Sequence, residues 1–152
     1  MPKHNLHITV DKWDLRFLDL AEHIATWSKD TTKVGAIVAS HETHRVISHG
    51  FNGFARGCSD EPVSRERKLL RVIHAESNAL HFAPFNVEGA SIYVTHPPCS
   101  HCAAHIIQRG ILRVVWNEPS EDFLSRWGDS FTESLAMFRE AGLTCLYRKK
   151  EA

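Results

Sequence analysis

Residues 95–105 read THPPCSHCAAH, with Cys99 and Cys102 behind Pro97 and Pro98 and three histidines in the same run. A C-x-x-C pair has three chemical readings: a redox couple, half of a structural zinc finger, or two ligands of a catalytic metal site. A finger needs a second close pair of cysteines or histidines, and Cys58 and Cys145 each stand alone. Upstream, IHAESNAL (73–80) holds His74 and Glu76 as H-x-E. Alone, H-x-E is weak, because chance produces it often. Together the two motifs are specific. One imidazole and two thiolates suit Zn2+, and three protein ligands leave a fourth position for water. Glu76, two residues from His74, can sit beside that water without coordinating the metal. The combination predicts metal-assisted hydrolysis, with His74, Cys99 and Cys102 as ligands and Glu76 as the acid–base group.

Such a site exists only if separate elements bring its parts together. From Asp11 to about Ser28, Trp13, Phe17, Leu20, Ile24 and Trp27 recur at steps of four and three, one face of a helix. VGAIVA (34–39) and RVISHG (45–50) read as strands joined by a short turn, an antiparallel hairpin. Residues 51–70 form a long polar loop with a short helix around 64–70. Then follow a helix opening near His74, a strand at 91–95, a helix from about Ser100 and a strand at 111–116. A final helix over 129–141 stops at Gly142, before a strand at 143–148. Strands joined by crossover helices run parallel with helices covering the sheet. The predicted fold is therefore α/β: a three-layer α/β/α arrangement around a five-stranded mixed sheet, with an N-terminal antiparallel hairpin followed by parallel strands. Residues 1–10 read as a loose arm, since nothing adjacent pairs with LHITV. The cysteine pair falls where α/β folds place ligand sites, at the carboxyl end of a parallel strand.

Composition narrows the class. The chain of 152 residues reads as one domain spanning 1–152, with 18 basic and 18 acidic residues and a formal net charge of zero. That balance argues against a nucleic-acid backbone as the main partner. No apolar run is long enough for a bilayer span, and MPKHNLHITV has no signal-peptide pattern, so a cytoplasmic location is expected. Four cysteines are too few for a disulfide framework.

H-x-E followed by P-C-x-x-C is the zinc-deaminase signature. Further stretches extend the likeness. SKDTTKVGAIV (28–38) is similar to S-K-D…V-G-A, and HGFNGFARGCSD (49–60) to G-Y-N-G-x-P-x-G with its following C-S-D. HAESNAL is close to H-A-E-x-N-A, and PPCSHCAAHIIQRGI (97–111) resembles P-C-x-x-C-A…I-x-Q-x-G-I. Over about residues 11–148 the chain thus resembles the cytidine and deoxycytidylate deaminase superfamily, and within it the deoxycytidylate (dCMP) deaminases.

That resemblance implies hydrolytic deamination of dCMP to dUMP and ammonia with zinc as cofactor. It implies that Asn52 bonds the sugar or base and that the Ala75 N–H meets the pyrimidine carbonyl. It also implies a 50–60 loop closing over the nucleotide, with Lys29 and Lys33, backed by Arg56, at the phosphate. A homo-oligomer such as a hexamer, with dCTP and dTTP as effectors, goes with it. The sequence departs from the family at Ala55, where proline is usual, and over 117–128 (NEPSEDFLSRWG). The family often has a second zinc or a regulatory nucleotide site in the 50–70 region; only Cys58 is available there, so no second zinc is expected.

Two rival functions remain at this stage. One keeps the chemistry but changes the substrate to dCTP, a nucleoside, a base, or cytosine or adenine in a polynucleotide. The other is a non-catalytic, zinc-stabilised binding module. RERKLLR (65–71) reads as a solvated face, a phosphate or regulatory-nucleotide site, or a subunit contact. Trp127 and Phe123 read as pocket or interface residues, Trp116 and Cys145 as core, and His96, His101 and His105 as surplus to the metal site.

Overall fold

Successive residues of the central strands point to opposite faces, and both faces are apolar. Ala36, Val38, Ile92, Val94, Val114, Trp116 and Cys145 pack on one side. Ile37, Ala39, Tyr93, Val115 and Leu146 pack on the other. Helices must therefore cover both sides. The computed structural model, which describes residues 6, 7 and 9–150, shows that they do. The strands are β1 (Leu6–His7), β2 (Gly35–Ala39), β3 (Val46–Phe51), β4 (Ser91–Val94), β5 (Arg113–Asn117) and β6 (Thr144–Arg148). The helices are α1 (Lys12–Ala25), α2 (Arg65–Arg71), α3 (Ala75–His81), α4 (Ser100–Gln108) and α5 (Glu121–Ala141).

The sheet order is β1-β6-β5-β4-β2-β3. β2 runs antiparallel to both β3 and β4, while β4, β5, β6 and β1 are mutually parallel. All five expected strands are present. The difference lies at the start of the chain, where Leu6 and His7 pair with Cys145 and Leu146 as a short sixth strand. Of the arm expected over 1–10, residues 1–5 and 8 lie outside the described residues. A partner 139 positions away, His7 to Leu146, could not be read from local alternation.

Helix α1 covers one face alone. Asp11 caps it by accepting the Asp14 N–H, and Asp14 returns the bond to the Asp11 N–H, a reciprocal box. Its buried stripe is Asp14, Phe17, Leu18, Ala21, Ile24 and Ala25. The expected face was turned slightly too far: Trp27 lies beyond the helix end and is 49% exposed. The surprise in the stripe is Asp14, an acid only 1% exposed. Arg113 on β5 grips it with two N–H···O bonds of 2.6 and 2.8 Å, and the Tyr93 hydroxyl donates a third at 3.2 Å. Burial alone would raise the Asp14 pKa; the hydrogen bonds and charge of Arg113 win and hold it below the usual carboxylate value.

Helices α3, α4 and α5 cover the other face. α3 lies directly on β3, where Gly50 leaves room: a Cβ there would sit 2.4 Å from both Ala75 O and Ala79 N. Ser48 Oγ donates to Ala79 O at 2.6 Å and Asn78 Nδ2 to Phe51 O at 2.8 Å, fixing the height of α3 along the strand. α5 begins eight residues before its predicted start, at Glu121 rather than 129. The sequence pattern predicts this helix only from 129, yet Ser120 caps it by accepting the Phe123 N–H, and Glu121 and Asp122 suit its positive end. A mid-helix glycine costs only about 1 kcal/mol, less than the packing that α5 gains. Gly142, with φ of 79°, ends it in the left-handed cap conformation.

Two outcomes are expected. Asp14→Asn should lower unfolding free energy by about 3 kcal/mol, because it leaves the Arg113 guanidinium largely buried without its counter-ion. Since the folded Asp14 pKa lies below its unfolded value of about 4, this stabilisation is present above that pH and disappears as pH falls through the folded value. Denaturant melts should therefore show the gap between wild type and variant closing in acid. Gly50→Ala should cost about 1–3 kcal/mol by overpacking α3 against β3, read from the same melts.

Candidate active site

The carboxyl end of β4 and the N-termini of α3 and α4 meet in one place. His74 is the N-cap residue of α3 and Cys99 the N-cap of α4, both with extended backbone. Neither is a usual capping side chain, which itself marks a second duty. Cys99 Sγ accepts the Cys102 N–H at 3.4 Å, so the sulfur does the capping while facing the site. His74 Nδ1 lies 3.4 Å from Cys99 Sγ and 3.4 Å from Cys102 Sγ. The three donor atoms fall within 4.8 Å of one another.

Without a cation this cluster is a proton-sharing knot. The hydrogen bond with Cys102, helped by His74, pulls the Cys99 thiol down to about 4, and the same contact pushes the Cys102 thiol up. The bond to Cys99 raises the His74 pKa. A divalent ion between the three atoms would favour two thiolates and a neutral imidazole, the forms that coordinate. The donor chemistry fits zinc, and the partial positive charge of two helix N-termini favours the thiolates further. Ser77 Oγ, 3.7 Å from Cys102 Sγ, is placed to donate to that sulfur.

His74, Cys99 and Glu76 open onto a cleft of about 240 Å³. Glu76 is 4% exposed. Burial pushes its carboxyl up to about 7, against the opposing pull of His74. It is outside the three-residue ligand cluster but in the same floor. Ala75, the first residue of α3, also lines the floor, and a first-turn N–H has no partner within its own helix. Asn52 reaches the wall with its amide already engaged: Oδ1 accepts the Val34 N–H at 2.9 Å and Nδ2 donates to Thr32 O at 2.8 Å. Its first task is to shape the 32–34 turn, which leaves one lone pair and one hydrogen for a ligand.

The structure does not bring Lys29, Lys33 and Arg56 to the cleft wall. Lys29 pairs at 2.5 Å with Asp60 on the surface. Lys33 Nζ donates to Ser28 O, closing its own loop. The Arg56 guanidinium lies 5.9 Å from the centre of the Phe82 ring. The cations that line the cleft are Arg65 and Lys68 from α2 and Arg126 from α5. Lys68 is held by Asp30 at 3.1 Å, while Arg126 pairs with Asp122 one turn back on its own helix. Among the described residues Arg65 makes no ion pair. Phe123, Trp127 and Phe131 complete the wall. Their spacing of four was the available signal, hidden because the first turns of α5 read as loop. Trp116 is core, 1% exposed.

The model of the cytidine and deoxycytidylate deaminase zinc-binding region matches residues 11–118. An uncharacterised deaminase in the luxG 3′ region of Aliivibrio fischeri is 48% identical over 137 residues, covering 88% of this chain and 92% of its own. Human deoxycytidylate deaminase is 33% identical over 144 residues, covering 88% of this chain and 78% of its own. In fold, a dCMP deaminase from cyanophage S-TIM5, solved in complex with dCMP and dUMP, aligns with a TM-score of 0.68 at 23% identity, over 93% of this chain and 99% of that one. The match over residues 11–118 and the identity to human deoxycytidylate deaminase show that the chain belongs to the cytidine and deoxycytidylate deaminase family.

Proposed function

We propose that this protein converts dCMP and water to dUMP and ammonia. The observation that carries the reading is Glu76, a buried carboxyl beside a complete His–Cys–Cys set at the floor of a cleft, whose lining cations include Arg65, without an ion pair among the described residues. The likeness to human deoxycytidylate deaminase supports the substrate. His74, Cys99 and Cys102 would hold zinc, and the chemistry it would supply when bound is a water acidified toward neutral pH as the nucleophile.

The remaining work falls to the chain. Glu76 takes a proton from the water and delivers it to ring N3, which offsets the negative charge that attack at the neighbouring C4 places on that nitrogen. It then carries the second proton to the departing amine, so that one water is consumed and one ammonia leaves. The Ala75 N–H faces the pyrimidine carbonyl, and Asn52 offers its remaining donor and acceptor to the nucleoside. Arg65 and Arg126 take the 5′-phosphate, Arg126 by exchanging Asp122 for it. Phe123 and Trp127 shield the ring from water. The family resemblance further supports a single-domain, homo-oligomeric, cytoplasmic enzyme responsive to dCTP and dTTP. No described helix is long and apolar enough to cross a membrane.

Glu76→Gln should reduce turnover of dCMP by about 10²–10⁴-fold while one zinc per chain remains, measured by ammonia release and metal analysis. Undiminished turnover would sink the mechanism. Arg65→Ala and Arg126→Ala should each raise the KM for dCMP about tenfold and leave deoxycytidine turnover unchanged. A substrate panel of deoxycytidine, dCMP and dCTP reads this directly; equal use of all three would exclude a phosphate-reading site.

A further inference from the structure

Cys99 is gripped on both sides by a helix that contributes no metal ligand. The carbonyl before it, Pro98 O, accepts a hydrogen bond from Ser134 Oγ at 2.8 Å. The N–H after it, on Ser100, donates to Ser130 Oγ at 2.8 Å, and Ser130 Oγ also lies 3.2 Å from Ser100 Oγ. Ser130 and Ser134 are one turn apart on α5, so both hydroxyls face the same way. Ser134 is fully buried. It also sits 3.1 Å from Ser130 O, the local acceptor a mid-helix serine ordinarily uses, but Pro98 O is closer. The Ser100 N–H is one of the orphan donors of α4, and the N-cap side chain that might have served it is a sulfur facing the metal site.

We propose that Ser130 and Ser134 are positioning residues for the metal ligand Cys99. Pro98 fixes its own φ, and the two serines clamp the peptide groups on either side of Cys99. Its backbone then has one conformation, with φ of −70° and ψ of 166°, and only χ1 is left to place the sulfur. Both serines lie beyond residues 11–118, the stretch that matches the family model, so α5 adds this support from outside it. The proposal rests on the zinc reading of the site.

The test uses the full chain as Ser130→Ala and Ser134→Ala, with Ser130→Thr restoring the hydroxyl. Ser125→Ala serves as a control, since among the described residues the Ser125 hydroxyl bonds within α5, to Asp122 O. Zinc affinity is measured by competition with a chromophoric chelator, and melting temperature is read with and without zinc. Both alanine variants should bind zinc about 10–100-fold more weakly, and their zinc-dependent rise in Tm should shrink. Ser130→Thr and Ser125→Ala should match wild type. If the alanine variants keep wild-type affinity and lose equal Tm with and without zinc, the serines only glue α5 to α4 and the proposal is overturned. Should Ser134→Ala fail to fold, Ser130→Ala decides alone. A wild type that binds no zinc overturns the metal reading along with this one, whereas normal wild-type binding isolates the serines.

Discussion

Three donor atoms, one nitrogen and two sulfurs, are held within 4.8 Å of one another at the ends of two short helices. Hydrogen bonds link these groups, and a divalent ion bound by two thiolates and a neutral imidazole would couple its binding energy to the fold that gathers them. Most of the fold answers to that requirement. α3 must lie close enough to β3 to present His74, which is why position 50 lacks a side chain. α4 must start where β4 ends, which the parallel β4–β5 crossover supplies.

The sheet divides the work between its faces. On the α1 side, an apolar core surrounds one satisfied ion pair, Asp14–Arg113, which ties a helix to a strand 99 residues away in sequence. On the other side, the core supports α3, α4 and α5 beneath the site. Apolar packing thus stabilises both faces while the site belongs to one, and nearly all the buried side-chain polar groups described are paired. Ser91 Oγ is the single buried side-chain oxygen or nitrogen without a partner among the described residues.

α5 shows how one element can serve both purposes. Its C-terminal half anchors the core through Phe138, which stacks on Trp116 with ring centres 6.5 Å apart. Its N-terminal half presents Phe123, Arg126 and Trp127 to the cleft, and the serines between them hold the loop that carries Cys99. A long amphipathic helix can do this because successive turns of one face meet successive structures.

The grouping of His74, Cys99 and Cys102, with Glu76 buried in the same cleft, was legible in the sequence because it follows from short-range spacing at helix starts. The five main strands and their parallel or antiparallel sense were legible too, through alternation and the helices between them. Leu6–His7 was not, since its partner strand is the last in the chain. Nor were the buried Asp14 and the early start of α5: an acid is assigned outside and a glycine reads as a stop until long-range packing overrides both. The cations of the cleft were the largest miss. Lys29, Lys33 and Arg56 sit in the right loops, but where a flexible basic side chain points depends on its neighbours in space. Asp60, the Ser28 carbonyl and Phe82 engage those three, and α2 and α5 bring Arg65 and Arg126 instead. The sequence by itself determined which atoms could hold the metal and move the proton. Only the tertiary structure decided what surrounds the substrate, because that wall is assembled from helices that are distant in the chain and meet only through packing.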